Sequence, residues 1–186
     1  GFWTFEHFAG LDFQYIYSNQ QSDLFTLTLQ PFLYRIDKGY RTPGFFTDRH
    51  DWQLLMRTAT EKFHPFGNYG HYVKLGHFEL PFGLEYNYQT FGELRQYGMG
   101  RKIGMKADWG LAVGRQYNSF EYEFALTRGS GAHYRDRKNP HAFTGRIGLR
   151  DDSFYGGGLS IFSGKTLHCK KLIKRQLIAV DMQYYF

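Results

Sequence analysis

Residues 171–186 read KLIKRQLIAVDMQYYF, and from Ile178 onward every second residue is apolar or aromatic. Successive side chains of a β-strand point to opposite faces, so this alternation predicts a strand with one apolar face and one mixed face. The apolar set is Ile178, Val180, Met182, Tyr184 and Phe186. Such a strand suits either a soluble β-domain, in which the apolar face is half-buried, or a membrane protein, in which that face meets lipid.

An alternating strand that ends in phenylalanine, with an aromatic residue two positions earlier, resembles the C-terminal signature of bacterial outer-membrane β-barrels. The composition is compatible with this resemblance, since 20% of the residues are aromatic while the mean hydropathy is −0.52. No run approaches the roughly 18 apolar residues that a membrane helix needs. A transmembrane barrel reconciles these facts because only alternate residues of its strands face lipid.

The same alternation recurs along the whole chain and predicts nine strands and no helix in a single domain, residues 1–186. The predicted strands cover about residues 8–18, 23–36, 51–63, 69–80, 103–113, 120–127, 143–150, 155–161 and 173–186. Pro31 lacks an N–H donor and therefore predicts a bulge or a break inside the second strand. The alternation assigns one set of side chains to lipid: Leu27, Leu54, Met105, Trp109, Phe124, Ile147 and Val180.

The predicted connections alternate between short and long, which is typical of outer-membrane barrels. The short ones are SNQQS, HPFGN, QYNS and DDS, and the long ones cover residues 37–50, 81–100, 129–141 and 163–172. The mixed faces also carry ionised groups in mid-strand, which a dry core would penalise and a water-filled lumen would not. We therefore predict an all-β, antiparallel transmembrane β-barrel, with a soluble lipocalin-like barrel or sandwich as the alternative. Single-chain bacterial barrels have even strand numbers, so either residues 1–7 (GFWTFEH) are the remnant of another strand or the chain is part of a larger barrel, and the second interpretation is favoured.

Three segments resemble the phosphate-selective porin family, porins O and P. They are KLGHFELPFGLE at residues 74–85, the hairpin RKIGM…GLAVG…FEYEFALTRGSG at residues 101–131, and FTGRIGL at residues 143–149. The resemblance implies a larger, trimeric barrel for anionic solutes, in which lysines and arginines of the lumen carry the substrate. The chain is about half as long as that family would lead one to expect, and further strands would normally follow the stretch that corresponds to residues 175–186.

The candidate functional residues are the basic side chains that the alternation places on the lumen face. They are Arg57, Lys74, Lys102, Lys106, Arg146 and Arg150, set against the acids Asp12, Glu61, Asp108, Glu121, Glu123 and Asp181. A ring of cations favours anions in a narrow pore, and guanidinium groups suit phosphate. The alternative interpretation is that these charges pair across strands and merely solvate a lumen. The connection 81–100 is long and rich in aromatic residues, so it is predicted to fold into the mouth as a constriction that includes Pro81, Phe82, Gly83, Glu85 and Arg95.

Other functional classes have less support in the sequence. The single cysteine, Cys169, excludes an internal disulfide framework. His71 and His77 lie about 20 Å apart on an extended strand, too far to share an ion, so no metal and no cofactor are expected. No nucleophile cluster is recognisable, and no catalytic residue is predicted. The net charge of +6 comes from residues scattered through loops rather than from a nucleic-acid-binding module.

The sequence therefore predicts a porin of the bacterial outer membrane, a passive channel with a modest preference for anionic solutes such as phosphate. The expected partners are the lipid bilayer, lipopolysaccharide, small anions and, as a homotrimer, further copies of the chain. Loop cations at Lys165, Lys170, Lys171, Lys174 and Arg175 could attract anions or hold lipopolysaccharide phosphates. Two other functions stay open: an outer-membrane barrel enzyme, and a barrel that sheathes or anchors a partner such as a multihaem cytochrome.

Overall fold

The computed structural model describes residues 5–20, 22–37, 52–67, 70–83, 107–131, 139–149, 155–168 and 171–184. These residues form ten strands: β1 (Phe5–Gly10), β2 (Phe13–Ser18), β3 (Asp23–Asp37), β4 (Gln53–Phe63), β5 (His71–Glu79), β6 (Ala107–Gln116), β7 (Phe120–Thr127), β8 (His141–Leu149), β9 (Tyr155–His168) and β10 (Lys171–Tyr184). No helix in these ranges is long and apolar enough to cross a membrane. The prediction of an all-β, antiparallel chain is confirmed.

The strands form one sheet in which each strand pairs with its neighbours along the chain, from β1 and β2 at one edge to β10 at the other. Strands β1 and β2 lie end to end along β3, with Gly10 opposite Phe32 and Phe13 opposite Leu29. Together they occupy the place of the first predicted strand, so the nine predicted strands correspond to nine positions in the sheet. Within the described ranges the two edges do not pair with each other, and the sheet is open.

The sheet is irregular on both sides of β3 at Pro31. On one side the ladder between the edge strands and β3 is interrupted, and only the Leu11 N–H reaches the Pro31 carbonyl oxygen, at 3.0 Å. On the other side Gln30 pairs with Thr58 but Pro31 pairs with Met56, which leaves Arg57 as an extra residue in β4. A proline cannot donate a ladder hydrogen bond, and the backbone N and O atoms of one strand residue face the same neighbour, so the missing donor accounts for the interruption on the side of β1 and β2. The predicted bulge or break is confirmed.

The bulge at Arg57 corrects one predicted orientation. An extra residue reverses the alternation, so that Leu54 and Met56 share a face with Glu61 rather than opposing it. Glu61 pairs with Leu75 and therefore does not lie on the polar face with the other predicted lumen acids. The prediction for Glu61 was wrong because the position of the bulge depends on the neighbouring strand and not on the sequence around Glu61.

One face of the sheet, called here the apolar face, carries exposed hydrophobic side chains from β4 to β10. Its exposed members include Leu54, Leu75, Leu111, Val113, Phe124, Ile147, Leu159, Ile161, Ile178, Val180 and Met182. The predicted set Leu27, Leu54, Trp109, Phe124, Ile147 and Val180 lies on this face by register, whereas Met105 is outside the described residues. Alternation along the strands is the reason, because residues at even spacing share a face.

The opposite face, called here the polar face, is inward and largely buried. Thr144, Ser160 and Thr166 are buried there, as are two small apolar clusters. Phe78, Ala112 and Ala125 form one cluster; Leu80, Phe82, Ala142 and Phe162 form the other. The sheet therefore buries hydroxyl groups, paired charges and two small apolar clusters on one face and exposes most of its other large hydrophobic side chains on the opposite face.

The last connection differs from its prediction. Strand β9 continues to His168 and β10 begins at Lys171, with uninterrupted pairing from Tyr155–Tyr184 to Lys171–His168. Residues 163–172 are thus mostly strand rather than a long loop. The connection between β9 and β10 is therefore short and does not fit the predicted alternation of short and long connections. The glycine and lysine content of this stretch suggested a loop, but Thr166, Leu167, Leu172 and Ile173 favour extended structure and pair across the hairpin.

Candidate functional site

The first charge cluster on the polar face, the arginine cluster, is built on four residues that lie side by side across β7 to β10. Glu121 pairs with Gly148, Gly148 with Gly158, and Gly158 with Asp181. The Arg146 guanidinium lies over the two glycines. Its Nη1 is 3.2 Å from Glu121 Oε1 and its Nη2 is 3.3 Å from Asp181 Oδ2. One cation therefore bridges two carboxylates in a site where Arg146 is only 2% exposed.

The two glycines in this cluster make room for the guanidinium. A Cβ at Gly148 would lie 2.7 Å from Arg146 Nη1, and one at Gly158 would lie 2.9 Å from Nη2. Carbon atoms do not approach nitrogen this closely without a shift, so any larger residue at either position would displace the arginine. Gly148 in the sequence GRIG and Gly158 in the sequence YGGGLS thus leave the space that the Arg146 guanidinium occupies.

The second cluster, the lysine cluster, contains Lys62, Tyr72, Lys74 and Glu123. The Tyr72 hydroxyl donates to Glu123 Oε2 at 2.5 Å, reaching across Gly114 on the intervening strand. Lys74 Nζ donates to both oxygens of the same carboxylate, at 2.9 and 2.8 Å. A single glutamate therefore receives a hydroxyl and an ammonium group at the polar face.

Lys62 is the cation of this cluster that has no carboxylate of its own. It is the cross-strand partner of Lys74, and its Nζ lies 4.0 Å from the centroid of the Tyr72 ring. Among the residues that the structure describes, Lys62 makes no ion pair. The sequence alternation did not identify Lys62, because without the bulge at Arg57 it would lie on the apolar face.

The predicted cations therefore divide into two groups. Arg57, Lys74 and Arg146 are described, and each pairs with a carboxylate; the Arg57–Glu79 distance is 3.2 Å. The positions of Lys74 and Arg146 agree with the interpretation that charges of the polar face pair across strands, whereas Glu79, the partner of Arg57, shares the face of Leu75 by register. Lys102, Lys106 and Arg150 lie outside the described residues.

Asp108, which the sequence placed among the lumen acids, anchors a turn. Its carboxylate accepts hydrogen bonds from the N–H groups of Gly129, of Ser130 at 3.3 Å and of Gly131 at 3.0 Å. Gly129 and Gly131 have φ values of 71° and 65°, which glycine adopts without strain. Successive N–H groups of this kind form a concave anion site, and here the anion is a side chain of the same protein. Asp108 is fully buried and unavailable to a solute.

The segment 80–83 crosses the polar face from the end of β5 to β8, β9 and β10. Leu80 and Phe82 pack with Ala142 and Phe162, and the Gly83 N–H donates to Ser160 Oγ at 2.9 Å. Pro81, Phe82 and Gly83 therefore lie over the polar face. Glu85 and Arg95, the other residues of the predicted constriction, are outside the described ranges. Narrowing of a channel by the whole segment stays a prediction.

His64 lies in the connection between β4 and β5, next to the lysine cluster. Its ring centroid is 5.8 Å from that of Tyr72. Burial, with a smaller effect from the positive charge of Lys62, lowers the pKa of His64 below its usual value of 6.5. His64 therefore adds no charge at neutral pH. In the described part of the chain, no group of histidine, cysteine and acidic side chains could hold a metal ion.

Comparison of the chain with protein-family models, with curated proteins and with solved structures finds no match. The functional inference therefore depends on the two faces of the sheet and on the charges of the polar face.

Proposed function

We propose that this chain forms membrane-spanning strands of a bacterial outer-membrane porin, a passive channel with a modest preference for anionic solutes such as phosphate. The observation that carries the proposal is that large hydrophobic side chains are exposed on one face while charged side chains are buried on the other, the reverse of the arrangement in a soluble protein. Ile178, Val180 and Met182 are 78%, 77% and 87% exposed, while Arg146 on the other face is 2% exposed. A soluble sandwich would bury the first group, and a contiguous apolar surface of this kind suits lipid.

The dimensions of the apolar face support this placement. From Trp109 to Tyr117 the chain advances eight residues, about 27 Å along an extended strand. At a tilt of roughly 35–45° this distance covers about 21 Å along the membrane normal, close to the apolar band of about 25 Å in outer-membrane barrels. Aromatic rings lie at both limits, as in the interfacial girdles of such barrels. At the second limit Tyr117 stacks on Phe120 with ring centroids 4.3 Å apart.

The two ionisable residues Glu61 and Arg115 lie on the apolar face near the short connections, where a charge costs little. Glu61 is two residues from the end of β4, and the Arg115 guanidinium lies 4.2 Å from the centroid of the Tyr117 ring. Both are close to the short connections, at the predicted interface, where a charge costs about 0–1 kcal/mol compared with about 2–4 kcal/mol at the midplane.

The anion preference is proposed to be modest because the described charges of the polar face nearly cancel. The arginine cluster has one cation and two acids, whereas the lysine cluster has two cations and one acid. The positions of the individual charges then matter more for selectivity than their sum. Lys62, which makes no ion pair among the described residues, is the cation best placed to meet a passing anion. A unit charge at about 5 Å in water contributes roughly 0.8 kcal/mol, or about fourfold in local concentration.

Membership of the phosphate-selective porin family, a homotrimeric assembly, location in the outer membrane and contact with lipopolysaccharide are parts of the same proposal. They are supported by the short sequence motifs and by the apolar face. The motif residues Lys74 and Arg146 both lie on the polar face, as lumen residues of such a porin would.

The test is the reversal potential of the reconstituted protein in a planar bilayer under a KCl gradient. We expect conductance with a chloride preference that falls about threefold at low salt in Lys62→Gln and weakens in the wild type as salt increases. The matched control is Lys165→Gln, on the opposite face, which should leave selectivity unchanged. Cation preference at low salt would contradict the anion preference. A folded protein without conductance would contradict the channel, and turnover of a substrate or a co-purifying protein would then favour the enzyme or the sheath.

A further inference from the structure

The β9–β10 hairpin places two lysines directly opposite each other on the apolar face. Lys165 pairs with Lys174, and Lys165 also pairs with His141 on β8. All three side chains are exposed. Directly opposed residues of antiparallel strands have Cβ atoms about 4.5–5.5 Å apart, so the two ammonium groups can reach one small ligand together.

Among the residues that the structure describes, no acid balances this pair of like charges. In the described part of the chain neither Lys165 nor Lys174 makes an ion pair or a hydrogen bond. The neighbouring cross-strand pair towards the apolar residues, Ser163 and Gln176, is polar and uncharged. Like charges directly opposite each other destabilise a sheet, and a bound anion would remove that repulsion.

The pair also lies at a definite height relative to the apolar residues. Lys165 is four residues beyond Ile161 along β9, about 13 Å at strand rise, and Ile161 pairs with the exposed Ile178. Lysine stems can lie along an apolar surface while their charged ends reach the headgroup level. The hairpin therefore carries its unbalanced charge between the apolar pair Ile161–Ile178 and the last pair on this face before the turn, Leu167–Leu172, at the end of the sheet that bears the longer connections.

We propose that Lys165 and Lys174, assisted by His141, bind the phosphate of an anionic lipid headgroup at this membrane interface. The proposal rests on the membrane location proposed above. A phosphate monoester suits the site because it can accept hydrogen bonds from two ammonium groups at once. The occupant is a lipid rather than a free anion because the site is continuous with the apolar face, which would hold the acyl chains.

The test uses the folded chain in a neutral detergent, titrated with short-chain phosphatidic acid and observed by native mass spectrometry. We expect one lipid to bind to the wild type, and binding to weaken at least tenfold in the double variant Lys165→Gln/Lys174→Gln. The matched control Lys62→Gln, on the polar face, should bind the lipid as the wild type does. Because both lysines are exposed, the double variant should fold, and without anionic lipid it should be at least as stable as the wild type.

Three results would overturn the proposal: undiminished binding in the double variant, equal loss in the Lys62→Gln control, or a double variant that is unstable without lipid. Equal competition by inorganic phosphate at the same concentration would assign the site to a free anion and contradict the lipid. Conductance separates this proposal from the channel. A wild-type protein that conducts but binds no lipid contradicts the lipid site alone, whereas a wild-type protein that binds lipid but does not conduct contradicts the channel alone.

Discussion

Arg146 offers the sharpest test of how the polar face is stabilised. Replacement by glutamine removes the guanidinium and leaves Glu121 and Asp181, 14% and 7% exposed, without the cation that bridges them. Removing one member of a buried ion pair typically costs 3–5 kcal/mol, because the remaining charge is buried without compensation. We therefore expect Arg146→Gln to lower the free energy of unfolding by about 4 kcal/mol.

The measurement is urea-induced unfolding of the chain in lipid vesicles, followed by the shift in electrophoretic mobility between folded and unfolded forms. The matched control is Arg57→Gln, which applies the same substitution to the Arg57–Glu79 pair, 23% and 17% exposed. That more solvated pair should contribute about 1 kcal/mol. A triple variant, Glu121→Gln/Arg146→Gln/Asp181→Asn, removes all three charges and should recover most of the stability lost in Arg146→Gln.

Two outcomes would refute the reasoning. If Arg146→Gln costs no more than Arg57→Gln, burial of the bridged carboxylates does not determine the effect. If the triple variant is as unstable as Arg146→Gln, the loss comes from packing over the two glycines and not from uncompensated charge.

Three further predictions concern the apolar face, the anchored turn and pH. Ile178→Arg should cost about 2–4 kcal/mol in vesicles, whereas Met182→Arg on the same face but nearer the interface should cost about 1 kcal/mol or less; equal costs in urea titrations would contradict a lipid-facing Ile178. Asp108→Asn should weaken charge-assisted hydrogen bonds to the following turn by about 1.5–3 kcal/mol and increase proteolytic cleavage within 128–140, which an unchanged cleavage rate would contradict. Because burial lowers the pKa of His64 below its usual value of 6.5, its positive charge appears only as the pH falls below that value, so chloride preference should rise with acidification below pH 6.5 and rise less in His64→Gln. An identical rise in both proteins would exclude His64 as the titrating group.

Strand alternation and Pro31 together predicted most of the architecture, because both depend on local chemistry. A period of two determines which residues share a face, and a missing N–H determines where a ladder is interrupted. The location of the bulge in β4 does not depend on local chemistry, because Arg57 becomes the extra residue only through the register of β4 with β3. The sequence alone therefore misplaced Glu61 and did not identify Lys62.

The partners of the charged residues were less predictable for a related reason. Arg146 meets acids that are 25 and 35 residues away along the chain, and Asp108 meets a turn that is 21 to 23 residues away. Charge patterns indicate that such groups lie inward, but only the register of several strands decides which of them touch. The space that Gly148 and Gly158 leave for the Arg146 guanidinium becomes recognisable once β8 and β9 are aligned.

The interruption at Pro31 also makes the two edges of the described sheet unequal as templates for aggregation. One edge consists of β1 and β2, two strands of six residues each, and short edge strands template intermolecular pairing poorly. The other edge, β10, presents fourteen consecutive residues and the exposed Ile178 and Val180. During refolding in the absence of lipid or detergent, we expect two chains to associate first through β10, so that a single proline on this edge strand would suppress precipitation more than one on β1.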